Sequence, residues 1–290
     1  MVFLQGKKIR HDQRTGQGKR TCMKRILGAI ILIIIFALPA FLGPDWVFFL
    51  IAIIVLPTCQ YELFRAMHTP GSRIMGWIAL AGSFPLLTSM YYGNLSVSLY
   101  IIGIVSLAII LTGLVLFEKG KADAREVGLV VFGIIYPLFL SGFWIMVRNG
   151  IDGRFWMIFG LLSTFAADTG AYYIGKNLGR HMLAPRLSPK KTIEGLAGGF
   201  LASMIFGGSF LYFYNHFFFL DGSYPVWIIM PLAGLICLLG LMGDLTASMF
   251  KREFNIKDLG NIIPGHGGML DRMDGIIPVG LVLYLIIQVL

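Results

Sequence analysis

Nine stretches of 17 to 26 residues in this chain are almost entirely apolar. They lie near 26–42, 46–64, 74–92, 95–117, 127–147, 155–175, 193–218, 226–249 and 269–290. A helix that crosses the hydrocarbon core of a bilayer needs about 20 such residues. Lipid offers no partners to backbone N–H and C=O groups, so only helices and closed barrels can span it. The runs are continuous rather than alternating, which selects helices. Composition closes the other route. Charged residues are 13% and hydrophobic residues 57% of the chain, whereas a soluble domain carries roughly 25% charged residues. Too few charges remain to coat a water-facing surface. The expected fold is an all-α polytopic membrane helical bundle of about nine transmembrane helices. The connectors are short, so 26–290 reads as a single transmembrane domain behind a basic arm, 1–25. Cys22, Cys59 and Cys237 have no pairing or metal-ligand spacing.

The net charge of +9 has a location. Eight Lys and Arg fall in residues 1–25, and alternate connectors hold Arg65 and Arg73, then Lys119, Lys121 and Arg125. The later ones on that side hold Lys176, Arg180, Arg186, Lys190 and Lys191, then Lys251, Arg252 and Lys257. Only Arg148 and Arg154 fall on the opposite side, and Arg272 lies inside the last run. Cytoplasmic loops of membrane proteins carry the basic excess, so the N-terminus is expected on the cytoplasmic side of the membrane. This accounts for the charge without a nucleic-acid partner. The run at 26–42 has a basic flank like a signal peptide, but no small-residue cleavage site follows, and it reads as a retained helix. The arm reads as a solvated tail near anionic membrane lipids, or as sequence upstream of a start at Met23.

Four acidic residues sit where charge is costly: Asp168, Asp244, Asp271 and Asp274. An unpaired carboxylate at mid-membrane costs roughly 2.5–3.5 kcal/mol, so four together approach the net stability of a domain, about 10 kcal/mol. Asp168 precedes Lys176 by eight residues and Asp244 precedes Lys251 by seven, while Asp271 and Asp274 open the last run. At 1.5 Å per residue all four lie within roughly 12 Å of the cytoplasmic boundary. Asp271 and Asp274 are three apart, a spacing that shares a helix face. Carboxylates gathered at one level repel unless a cation joins them, and oxygen-only ligands select Mg²⁺ or Mn²⁺ over Zn²⁺. A proton or sodium path in a transporter would explain the acids equally well.

The basic connectors favour phosphate. In RLSPKKTIEG (186–195), Ser188 and Pro189 form a helix start, which would put Lys190 and Lys191 on a first turn beside free N–H groups. Further on, Gly267 and Gly268 would let backbone N–H groups approach a phosphate. They stand between Lys251-Arg252 and Asp271-Arg272. No P-loop, dinucleotide fingerprint or zinc-protease motif is present.

The segment SMFKREFNIKDLGNIIPGHGGMLDRMD (248–274) closely resembles the signature of phosphatidate cytidylyltransferases, the CDP-diacylglycerol synthases. The matching positions are Ser248, Lys251, Arg252, Lys257, Asp258, Pro264, His266, Gly267, Gly268, Asp271, Arg272 and Asp274. The run Ser188-Pro189-Lys190-Lys191-Thr192 and Asp168 also look like features of that family. The resemblance implies that phosphatidic acid and CTP give CDP-diacylglycerol and pyrophosphate with Mg²⁺, at two divalent sites or one divalent and one second cation. It implies metal ligands among Asp168, Asp244, Asp271 and Asp274, and a catalytic part mainly in 155–290. Asp271, Asp244, Lys251, Arg252, His266 and Arg272 would be catalytic. Ser188, Lys190, Lys191, Thr192, Ser248, Lys257, Asp258, Gly267 and Gly268 would bind substrate. Lys257 and Asp258 could instead pair as a clasp, and Arg272 could serve only as the aspartates' ion partner. Family analogy adds a homodimer. A cytidylyltransferase for an isoprenoid lipid phosphate, or a cation-coupled transporter, stands as the alternative.

Overall fold

The computed structural model describes residues 43–217, 224–262 and 267–290. The expected span at 26–42, the basic arm, Pro264 and His266 lie outside the described residues. The rest is helical apart from one small hairpin. Helices α1 (Asp45–Ala66), α2 (Pro70–Tyr91) and α3 (Leu95–Glu118) follow one another through tight turns. Thr69 caps α2 by accepting the Ser72 N–H, and Asn94 caps α3 by accepting the Val97 N–H. The next span is composite: α4 (Ala124–Ile134), a π-helical stretch (Ile135–Leu140) and α5 (Ser141–Asn149). Pro137 lies in that stretch, where its missing N–H cannot complete the α-helical ladder. Then come α6 (Gly153–Leu178), the hairpin β1 (Met182–Ala184) and β2 (Ser188–Thr192), α7 (Ile193–Phe217) and α8 (Val226–Glu253). The chain ends in a single turn α9 (Leu270–Met273), a 3₁₀ turn (Asp274–Ile276) and α10 (Ile277–Ile287).

Among the described residues, six helical stretches are long and apolar enough to cross a membrane: α1, α2, α3, the composite 124–149, α7 and α8. Helix α6 has the length, at 26 residues, but is more polar than the others. It carries Arg154, Asp168 and Lys176. The last expected span is interrupted at Asp274–Ile276, so only 11 residues form its α-helical end.

Side chains point outward along much of this molecule that a soluble protein would hide. Leu99, Ile104, Leu107, Leu111 and Leu114 of α3 are all more than half exposed, as expected of a helix facing acyl chains. Inside, helix contacts rest on close packing and a few hydrogen bonds, since lipid is as apolar as leucine. Gln60 donates to the Gly133 carbonyl and accepts from Ser83, tying α1 to α4 and α2. Ser203 of α7 donates to the Ala233 carbonyl of α8 at 2.5 Å. Glycines of α6 and α7 face each other so closely that a Cβ on Gly170 would lie 2.9 Å from the Gly198 carbonyl oxygen.

Three hydrogen bonds join the first half of the chain to the turns that carry the aspartates. Tyr136 of the π-helical stretch donates to the Gly243 carbonyl at 3.0 Å, one residue before Asp244. Trp144 of α5 donates to the Ile276 carbonyl at 2.9 Å, two residues after Asp274. Glu62 of α1 accepts the Leu270 N–H at 2.9 Å, one residue before Asp271.

Candidate active site

The stretch 186–195 does not begin a helix at Ser188. Ser188–Thr192 is a strand, antiparallel to Met182–Ala184, and the helix starts at Ile193. Thr192 is the capping residue, accepting the Gly195 N–H through its hydroxyl. Pro189 is tolerated because a two-stranded hairpin is all edge. Lys190 and Lys191 therefore precede the helix, and its terminal dipole is not what positions them. Lys191 reaches across to α8 instead, where its Nζ donates to Asp244 Oδ2 at 2.5 Å.

Asp244 is the meeting point of three segments. Asp274 interacts with it electrostatically, and Asp168 of α6 is close enough to interact with both Asp244 and Lys191 in the same way. Gly243 makes this approach possible. A Cβ there would overlap the Asp274 carbonyl, so α8 and the 3₁₀ turn touch backbone to backbone. One turn on, Ser248, Lys251 and Arg252 end the helix, and Arg252 Nε donates to the Leu187 carbonyl of the hairpin turn at 3.3 Å.

Asp271 and Asp274 stand in consecutive turns of different kinds. The α-helical turn ends at Met273, and Asp274 opens the 3₁₀ turn. Asp271, only 6% exposed, receives Lys251 Nζ at 2.9 Å on Oδ1. Its Oδ2 accepts the Leu259 N–H at 2.8 Å and the Gly268 N–H at 3.2 Å. The Gly268 N–H, expected to meet a phosphate, is thus turned onto Asp271. Gly267 has φ +88°, a conformation that favours glycine. Lys251 also acts electrostatically on Asp274. The order in space is Asp168, Lys191 and Asp244, then Asp274, Lys251 and Asp271, with acids and bases interleaved. Lys257 and Asp258 are exposed and form no ion pair with each other among the described residues. Arg272 is exposed rather than half-buried between the aspartates.

One acidic residue at this centre escaped the sequence reading. Glu62, 1% exposed, reaches from α1 to Gly260, Gly268 and Leu270. Its signal was a carboxylate inside the apolar run 46–64, masked by its nearness to that run's end.

Two cavities open on these residues. One of about 360 Å³ lies among α6, α7, α8 and the hairpin, with Asp168, Lys190, Lys191, Thr192 and Asp244 on walls that are otherwise largely apolar. The other, about 510 Å³, is basic and polar, lined by Ser248, Lys251, Arg252, Asn255 and Lys257. Ser188 lies on the wall of both.

The donor set suits a hard cation. Carboxylates that act on each other as Asp244 and Asp274 do repel, and a cation between them would relieve that. Among the described residues no three His, Cys, Asp or Glu converge closely enough to hold a metal by themselves. Mg²⁺ typically takes one or two carboxylates and completes its shell with water and substrate phosphates.

Comparison with known proteins gives one consistent result. The sequence profile of the cytidylyltransferase family matches residues 23–290. The phosphatidate cytidylyltransferase of Staphylococcus aureus (strain COL) is 31% identical over 250 residues, which is 86% of this chain and 93% of that protein. Those of Staphylococcus saprophyticus and Staphylococcus epidermidis are 30% and 29% identical over the same lengths.

Proposed function

The chain belongs to the cytidylyltransferase family, and from that premise we propose that it joins CTP to phosphatidic acid in phospholipid synthesis. The products are CDP-diacylglycerol and pyrophosphate. The observation that carries this reading is the pair of cavities meeting at Ser188, one basic and one apolar-walled. The basic cavity suits a triphosphate and the apolar-walled one a lipid headgroup with its first acyl carbons.

In the reaction an oxygen of the lipid phosphate attacks the α-phosphorus of CTP, and the bond to the bridging oxygen of pyrophosphate breaks. The nucleophile is already an anion at neutral pH, so no strong base is needed. The work left for the protein is alignment and charge neutralisation. Lys251, Arg252 and Lys257 would hold the triphosphate, with Ser248 as a hydroxyl partner. Lys190 and Ser188 would hold the lipid phosphate at the shared wall. Lys191, paired with Asp244, holds that carboxylate on the cavity wall. Asp258, Gly267, Gly268 and Thr192 shape the surrounding turns, while His266 and Arg272 would act on the phosphates by family analogy. Asp244 and Asp274, with Asp168 and Asp271 flanking them, would hold Mg²⁺, at one or two sites. When bound, it would offset the charge of the phosphates brought together there.

The same reading places nine spans in the inner membrane with the N-terminus and both cavities toward the cytoplasm, supported by the 21-to-2 division of basic residues. CTP would arrive from the cytoplasm and the lipid phosphate from the interface. A homodimer is part of the proposal by family analogy. The test is transfer of label from [α-³²P]CTP into lipid by purified protein in detergent. Phosphatidic acid and Mg²⁺ should both be required. Transfer to an isoprenoid glycerol phosphate in preference would redirect the lipid assignment, and cation flux without CTP turnover would overturn the reading.

A further inference from the structure

We infer that Glu62, on α1 and outside the signature segment, is a positioning residue for the site, holding Gly260 and Gly268–Leu270 where Asp271 must stand. The inference rests on the reading above for its kinetic meaning, but its structural basis is separate. Glu62 is 1% exposed. Its Oε2 accepts the Leu270 N–H at 2.9 Å across 208 residues of sequence, and the backbone of Met269 and Ile262 also approaches the carboxylate. Among the described residues, Oε1 is buried without a hydrogen-bond partner.

A buried carboxylate oxygen without a partner is expensive to leave unmade, about 1–3 kcal/mol or more for a charged group. Packing alone would be served better by leucine or methionine. The loop has moulded itself around the acid. A Cβ on Gly260 would overlap the carboxyl group of Glu62, and one on Gly268 would lie 2.6 Å from Oε2 and 3.0 Å from Asp271 Oδ2. Asp271 holds the same loop from the other side, accepting the Leu259 and Gly268 N–H groups. Leu259, Gly268 and Leu270 are therefore held between two carboxylates, one from each half of the chain. Lys251 sits on Asp271, so the register of the loop sets the positions of both.

A hydrogen-bond clamp makes a distinctive demand: an acceptor oxygen at this length is needed, and a negative charge is not. Glu62→Gln keeps the acceptor and Glu62→Ala removes it. With kcat and KM normalised to folded protein, Glu62→Ala should lose about 10- to 100-fold in kcat/KM, the scale of a misplaced reacting group. Glu62→Gln should retain most of it. Amide hydrogen exchange gives a readout independent of turnover. Protection of Leu259, Gly268 and Leu270 should fall in the alanine variant, stay near wild type in the glutamine variant, and leave α2 and α3 unchanged in both. Equal loss in Gln and Ala, or a loop protected as in wild type in Glu62→Ala, would overturn the clamp. Wild-type protein that makes no CDP-lipid would sink the assigned reaction instead, while the exchange pattern would still decide the clamp.

Discussion

At the scale of single residues, the aspartates differ in what they have to give. Asp271 has both oxygens engaged, by Lys251 and by two backbone N–H groups, whereas Asp244 meets Lys191 on one oxygen and faces Asp274. Asp244→Asn removes one of two neighbouring carboxylates and the charge partner of Lys191. Activity should drop by about 100-fold or more, the scale of losing a preorganised electrostatic group, with little change in the thermal midpoint. A labelled-CTP assay beside a melting curve checks both. Gly243→Ala should behave differently. The new methyl overlaps the Asp274 carbonyl, so overpacking of about 1–3 kcal/mol is expected, seen as a lower midpoint together with lost activity. The acids were legible in the sequence because charge in an apolar run is conspicuous. Which oxygen each would spend on the backbone was not, since Asp271's partners come from a loop whose path no local pattern dictates.

Elements were legible to the extent that periodicity and length decide them. The expected spans at 46–64, 95–117 and 226–249 match α1, α3 and α8 to within about four residues. Those forecasts rest on lipid's intolerance of unpaired backbone. The failures are places where a short local pattern had two solutions. Ser188-Pro189 can start a helix or run along an edge strand, and pairing with Met182–Ala184 selects the strand. The run 269–290 is apolar enough for one helix, yet Asp274 and Gly275 tighten into a 3₁₀ turn against α8. The π-helical stretch places Tyr136 on the Gly243 carbonyl. Tyr136→Phe keeps the ring packing and removes this bond. Its net worth to stability is about 1 kcal/mol, and the carbonyl beside Asp244 loses its support. We expect a several-fold fall in kcat with the KM for CTP unchanged; an unaltered kcat would confine Tyr136 to packing.

For the whole molecule, the two halves divide the labour. The acids and bases of the site lie mainly after residue 155, while Glu62, Tyr136 and Trp144 of the first half grip the turns bearing Asp271, Asp244 and Asp274. The sequence reading assigned the chemistry to the second half and found no role for the first, because such long-range hydrogen bonds leave no trace in local spacing. Orientation is open to a simple check: with the native cysteines replaced, a single cysteine at Lys257 in sealed inverted vesicles should react with a membrane-impermeant maleimide, and one at Asn149 should not. The reverse pattern would put the cavities on the wrong side for CTP. The most direct test of the account is Mn²⁺ binding in the presence of CTP, followed by electron paramagnetic resonance on wild type, Asp244→Asn and Asp274→Asn. The carboxylate centre predicts CTP-dependent Mn²⁺ binding at micromolar metal, weakened at least tenfold in each variant while the protein stays folded. Mn²⁺ bound equally well by all three proteins would contradict it.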